Sequence, residues 1–303
     1  MKKKSWSDPV FLLLVVMAAV PATAQELAPR AYWPAPNGTN VLSIAYQYSS
    51  GDIVTDPSLP VTGVESKLNL LQLSYQRTFS LFGRTANAQL GLPYSNGTSE
   101  GFVDGEFISA EPTGYGDVRG RLSVNLRGAP TMDVAGFREL TAKPETIVGA
   151  SLLIQAPTGR YNPDKLLNVG ANRWAMKPAV GAIWPLHPTW LLEAEFGVWF
   201  FGDNDEFLGV MREQEPIYSS EFHLVKRLRE GLWLSLDVNY YIGGRTIVDS
   251  DQRADLQRNS RLGFTLFKPL KNRHALRASY STGIVTASGG DYSTYSLVYV
   301  YAW

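Results

Sequence analysis

The chain has 303 residues, 28 basic and 28 acidic side chains, no cysteine, and 12% aromatics. Zero formal charge offers no basic surface for nucleic acid. Without cysteine there is neither a disulfide framework nor a thiolate metal site.

The first residues, MKKKSWSDPVFLLLVVMAAVPATAQE, read as a secretory signal peptide over 1–24. Lys2, Lys3 and Lys4 form its positive region, Val10 to Val20 its apolar region, and Ala22-Thr23-Ala24 its cleavage site. The apolar run is shorter than the roughly 20 residues a spanning helix needs. Cleavage removes three Lys and one Asp, leaving 25 basic against 27 acidic residues in an exported, slightly acidic protein. Residues 25–37 are expected to form a short periplasmic N-terminal segment, ahead of a single domain over 38–303.

From there to the end, period-two segments alternate with turn signals, and helical periodicity is hard to find. Twelve such segments are predicted as strands: 38–49, 64–79, 84–97, 114–127, 143–157, 172–185, 188–202, 214–228, 230–243, 257–268, 272–285 and 291–303. The fourth sets Val118, Leu122, Val124 and Leu126 against Arg119, Arg121, Ser123, Asn125 and Arg127. The seventh sets Leu192, Ala194, Phe196, Val198 and Phe200 against Glu193 and Glu195. The ninth sets Leu232, Leu234, Leu236, Val238, Tyr240 and Ile242 against Trp233, Ser235, Asp237, Asn239 and Tyr241. Connections after segments 2, 6, 8 and 10 are short, whereas those after 1, 3, 5, 7 and 9 are longer and polar. Residues 128–142, after segment 4, break this alternation, as does the short loop after segment 11.

Short turns on one side and long loops on the other are the outer-membrane barrel pattern. The fold expected is therefore all-β, a transmembrane antiparallel β-barrel of about twelve strands. Its last residues, YSLVYVYAW, put Tyr295, Leu297, Tyr299, Tyr301 and Trp303 on one face, toward lipid and the interfacial aromatic belt. That ending resembles the C-terminal signal read by the outer-membrane barrel assembly machinery, except at Val298, where Gly is usual. A soluble sandwich explains the alternation too, but not the inward arginines and glutamates or the abrupt aromatic end.

Sites of chemistry are sparse. His187 and His274 fall at turns, and His223 shares an inward face with Glu221. A hydrolase would need a nucleophile beside His223, and no local motif supplies one, so an enzyme is not expected. No His/Asp/Glu spacing repeats in a ligand geometry, so no metal is expected, and no phosphate loop supports a nucleotide or other cofactor. Asp203-Asn204-Asp205 and Asp249-Ser250-Asp251 read as polar loop residues, with calcium ligation as the alternative. Inward charge is the richer signal. Candidates for a lumenal pathway are Arg119, Arg121, Glu193, Glu195, Trp199, Glu221, His223, Asp237, Arg261 and Arg277. Their opposite charges either brace the wall by cross-strand pairing or select a solute.

Gly114-Tyr115-Gly116-Asp117-Val118 and LLIQAPTGRYNPDKLLNVGANRWAMKPAVG, residues 152–181, resemble the outer-membrane transporter family named for the MetA pathway of phenol degradation. The resemblance extends more loosely from about residue 38 to Trp303. It implies a transport role for small aromatic or other hydrophobic compounds, and no catalytic residues. The loop Tyr161 to Ala171 is long for a plain hairpin. Arg160, Tyr161, Asn168, Asn172, Arg173 and Trp174 are the expected gate or contact residues. The partners expected are outer-membrane lipid, the assembly machinery and a small-molecule solute. The other reading is a structural or assembly barrel with a lumen blocked by its own charged network.

Overall fold

The computed structural model describes residues 29–53, 61–103, 106–165, 167–229, 231–287 and 291–303, so the expected signal peptide, 1–24, lies outside them. Twelve antiparallel strands form a closed ring: β1 (Asn40–Gly51), β2 (Val61–Leu81), β3 (Arg84–Val103), β4 (Arg119–Arg127), β5 (Ile147–Gln155), β6 (Ala175–His187), β7 (Trp190–Phe201), β8 (Ile217–Arg229), β9 (Leu232–Gly243), β10 (Gln257–Pro269), β11 (His274–Val285) and β12 (Tyr292–Ala302). Each pairs with its sequence neighbours, and β1 pairs with β12 from Val41↔Ala302 to Gly51↔Tyr292. The Asn40 N–H donates to the Trp303 carbonyl at 2.9 Å and the Trp303 N–H to the Asn40 carbonyl at 3.0 Å. The aromatic terminus is thus stitched into a ladder with no free edge, the condition for spanning a bilayer with strands.

Alternation decides which side chains face where. On β9, Trp233, Ser235, Asp237, Asn239 and Tyr241 are buried inside the ring, while Leu234, Leu236 and Tyr240 are exposed outside it. The same holds for Leu42, Ile44, Leu71, Leu73, Leu122, Phe196, Phe222, Phe264 and Leu297, an exposed apolar belt running round the barrel. A belt of that extent requires lipid. Arg127, expected to face inward, is exposed instead. A bulge between Asn125 and Arg127 slips the β4–β5 register there, and a one-residue slip exchanges faces.

The region that interrupts the loop alternation holds a helix, α1 (Val134–Ala142), which the strand pattern does not anticipate. Asp133 caps it, its carboxylate accepting the Gly136 N–H at 2.9 Å. Phe137 and Leu140, three residues apart on one face, are buried at the short-turn end of the barrel. At the opposite end the connections carry their own structure. Asn204–Phe207, Val210–Gln214, Thr246–Val248 and Asp251–Gln252 make a separate four-stranded sheet around Phe207 and Val248, against which Leu167 packs. β2, at 21 residues, is about 70 Å long at ~3.3 Å per residue. That far exceeds the ~25 Å apolar band of a membrane barrel, so the β2–β3 hairpin extends beyond the membrane.

Candidate lumenal pathway

The inner wall is layered. A charged chain crosses neighbouring strands at mid-height. Arg121 of β4 donates to Glu195 of β7 at 2.7 Å, and Lys177 of β6 bridges Glu195 and Glu221 of β8 at 3.0 Å each. His223 follows, with Nδ1 2.9 Å from Asp237, whose other oxygen accepts the Thr265 hydroxyl at 2.7 Å. All of these groups are buried. Burying charges is costly, and only pairing with further hydrogen bonds offsets it. The wall of β2 and β3 is lined differently, by the uncharged Gln72, Ser74, Gln76, Thr78, Asn87 and Gln89.

Above this belt, toward the long loops, Trp199 packs with Leu153, Ala175, Ile217 and Tyr241 and stacks on Phe201 at 6.2 Å between centroids. Below it lies an apolar floor containing Ile147, Ile183, Leu191, Val225, Trp233, Phe267 and the inner side chains of β12. The chain's own leader enters that floor. Residues 29–37, the described part of the expected N-terminal segment, pack into the short-turn end of the ring. Arg30, Tyr32 and Trp33 are each under 4% exposed. The Arg30 N–H donates to Glu193 at 2.6 Å, and its guanidinium lies 3.8 Å from the Trp33 ring centre. Together with α1, this segment closes the short-turn mouth. Small cavities adjoin it, two of them of about 10 Å³ each, near the size of one water.

At the other mouth the two glycine-rich motifs are tied together by Asp117. Its carboxylate accepts N–H groups from Gly159 at 2.8 Å and Ala171 at 2.9 Å, and the Gln155 amide at 2.9 Å. Thr158 accepts the Val118 N–H at 2.9 Å, and the Arg160 N–H donates to the Tyr115 carbonyl at 2.8 Å. A side chain on Gly159 would sit 2.7 Å from the Gly170 α-carbon, so the two ends of the loop close on each other through glycine alone. The Gly-Asp and Pro-Thr-Gly motifs are therefore one latch that folds residues 156–174 against β4.

The ten sequence-derived lumenal candidates all face inward and are buried, but they do not form one site. Arg121, Glu195, Glu221, His223 and Asp237 are consecutive links of the charged chain, and Glu193 holds the leader. Arg119 instead donates to Gln155 at 2.9 Å. Arg261 lies apart against Tyr292, bonding its carbonyl and the Ser281 hydroxyl. Arg277 is buried on the inner face of β11. Of the loop candidates, Tyr161 and Asn172 bond Asn204, Arg173 bonds Gln214 and covers Phe201, and Asn168 closes its own turn on Asn162 and Lys165. Arg160 donates to the Thr113 carbonyl, and Trp174 is exposed on the outer side. Asp249 and Ser250 form a tight left-handed turn, with φ of 51° and 68°. Among the described residues no group of three or more metal-ligating side chains converges.

Sequence reasoning missed Lys177, Asp117 and the leader residues Arg30, Tyr32 and Trp33. The signal present was APRAYWPAP, which carries an arginine and two aromatics within the segment read as periplasmic.

Comparison with known proteins agrees with this architecture. The crystal structure of the COG4313 outer membrane channel from Pseudomonas putida F1 superimposes with a TM-score of 0.78 at 22% identity, covering 92% of this chain and all of that one. The β-domain of the Bordetella autotransporter BrkA superimposes with a TM-score of 0.51 at 10% identity, covering 88% of this chain and all of that one. These likenesses concern the barrel fold. No curated protein sequence matches the chain. The family model described as "Putative MetA-pathway of phenol degradation" matches residues 45–297, so the chain belongs to that family.

Proposed function

We propose that the protein is a passive outer-membrane channel for small aromatic or hydrophobic solutes, with short turns and chain ends in the periplasm. The observation that carries this reading is how the lumen is closed. The periplasmic mouth is stopped by a leader segment, held by one ion pair and aromatic packing, and not by the wall alone. A strut would fill its core with wall side chains, as small barrels do. A removable stopper fits a conduit. Family membership and the channel named for the P. putida structure support the same reading. Docking of the C-terminal strand on the barrel assembly machinery, and cleavage after residue 24, belong to this proposal.

The charged chain from Arg121 to Asp237 favours one other reading, a structural barrel blocked by its own network. Planar-bilayer conductance and vesicle uptake separate the two, comparing the mature chain with one lacking residues 25–33. Conductance or aromatic uptake that rises on truncation, with ion selectivity shifted by Arg119→Ala/Arg121→Ala, supports the channel. Folded barrels that stay silent and impermeable with or without the leader refute it in favour of the strut.

A further inference from the structure

The ring of Tyr32 rests on a surface made by absence of side chains. Gly149 of β5 and Gly181 of β6 are direct cross-strand partners, and both face the lumen. A β-carbon on Gly149 would lie 2.3 Å from the Tyr32 ring, and one on Gly181 would lie 2.2 Å from it. Those are overlaps, so the ring lies flat against bare backbone from two strands. Such a close approach is a specific reason for glycine within a strand. The Arg121 guanidinium is 5.5 Å from the ring centre, within cation–π range. At the ring's polar end, the hydroxyl shares a hydrogen bond with Ser151 Oγ at 3.1 Å, and the Glu195 carboxylate beside it can accept the phenolic proton. A one-water cavity adjoins the same position.

What occupies this seat is, chemically, a para-substituted phenol on a tether. We infer that the Gly149/Gly181 seat is a binding subsite for a hydroxylated monoaromatic solute, and that Tyr32 fills it as an internal surrogate until solute competes. The inference rests on the channel reading above and specifies its solute class. Face and edge are both recognised: flat backbone and Arg121 take the ring, while Ser151 and Glu195 take the hydroxyl. Arg121 and Glu195 are also links of the charged belt, so the seat lies where the plug meets the pathway.

Equilibrium binding of phenol to the refolded mature chain tests this. Tyr32→Ala is expected to bind one phenol saturably, at least tenfold tighter than the wild-type chain, whose seat is filled. Adding Gly149→Ala puts a methyl group where the ring would lie and is expected to cost at least tenfold. Cyclohexanol, with the hydroxyl but no aromatic face, and benzene, with the face but no hydroxyl, should each bind tenfold more weakly than phenol. In the wild type, phenol but not cyclohexanol should raise hydrogen exchange of residues 29–35 saturably. That arm needs no variant and stands even where Tyr32→Ala fails to fold. Absence of saturable phenol binding in folded Tyr32→Ala, or binding indifferent to Gly149→Ala, overturns the seat. So does wild-type exchange unmoved by phenol. Vesicle uptake of phenol, measured in parallel, keeps the two proposals separable. Uptake without seat binding leaves a channel with no such subsite, and seat binding without uptake leaves a ligand site in a barrel that does not conduct.

Discussion

Replacing Asp117 isolates the latch at the long-loop mouth. Its buried carboxylate accepts two backbone N–H groups, from Gly159 and Ala171, together with the Gln155 amide. Hydrogen bonds to a charged acceptor are worth about 1.5–3 kcal/mol each. Loss of the two backbone bonds in Asp117→Ala therefore removes about 3–6 kcal/mol of closure from the loop. Gly159 and Ala171 are half-buried, so water recovers part of this and the lower figure applies. About 3 kcal/mol is roughly a hundredfold in the opening equilibrium. Hydrogen exchange by mass spectrometry, on peptides covering 156–174, should show that loss of protection, with β9 amides as the unaffected control. Asp117→Asn keeps one acceptor oxygen and should lose roughly tenfold. Unchanged protection of 156–174 in a folded Asp117→Ala barrel would show that the latch does not hold the loop, and that the two motifs meet for another reason.

Three further outcomes are expected. Glu195→Ala leaves Arg121 and Lys177 short of a shared counter-ion and should cost about 3–5 kcal/mol, read from urea unfolding in vesicles. Arg121→Ala added to it should restore part of that loss, and strict additivity of the two would deny their coupling. Leu236→Arg puts a cation on the lipid face of β9 and should cost about 2–4 kcal/mol near the midplane in the same assay, against little change at a loop position. Removing Trp303 deletes both hydrogen bonds to Asn40 and the aromatic contacts with Tyr75 and Tyr301. The yield of heat-modifiable folded barrel should fall, and an unaffected yield would argue against a closing role for the terminal aromatic.

Strand existence and facing were legible because two solvents act on opposite faces of each strand. On β9 every second residue answers to lipid and the others to the lumen, so period two survives even where Trp233 and Tyr241 make the inner face aromatic. Arg127 was misplaced because a bulge leaves no mark in the alternation itself. α1 was missed because Val134–Ala142 is shorter than a periodicity window and carries Gly136; its stability comes from Phe137 and Leu140 packing on the barrel floor, a tertiary effect. The seat was illegible for a deeper reason. Gly149 and Gly181 are 32 positions apart, and their meaning appears once β5 and β6 are in register with Tyr32 above them. Individual charges were readable, but the partner of each was not, because pairing depends on register across strands. Lys177 went unnoticed because it is the one Lys, Arg, Asp or Glu of β6, too little to mark a polar face.

The charge distribution bears on what such a lumen favours. Among the described residues the inward cations include Arg30, Arg119, Arg121, Lys177, Arg261 and Arg277, and the inward acids include Glu193, Glu195, Glu221 and Asp237. The signs interleave along the belt, and most acids are bonded to a cation or to His223. Side chains select one class of ion when they form a ring of one sign. Interleaved signs largely cancel at a distance, so an entering inorganic ion gives up its hydration for little in return. An alkane fares poorly as well, because it covers buried polar groups without bonding them, and each such group costs about 1–3 kcal/mol. A small aromatic with one hydroxyl avoids both costs. Its face suits the Trp199 and Tyr241 layer and the glycine seat, and its hydroxyl can bond Ser151 or Glu195 at the belt. Under the channel reading, discrimination then arises at the plug, where solute and Tyr32 compete for one place, and not from the net field of the pore.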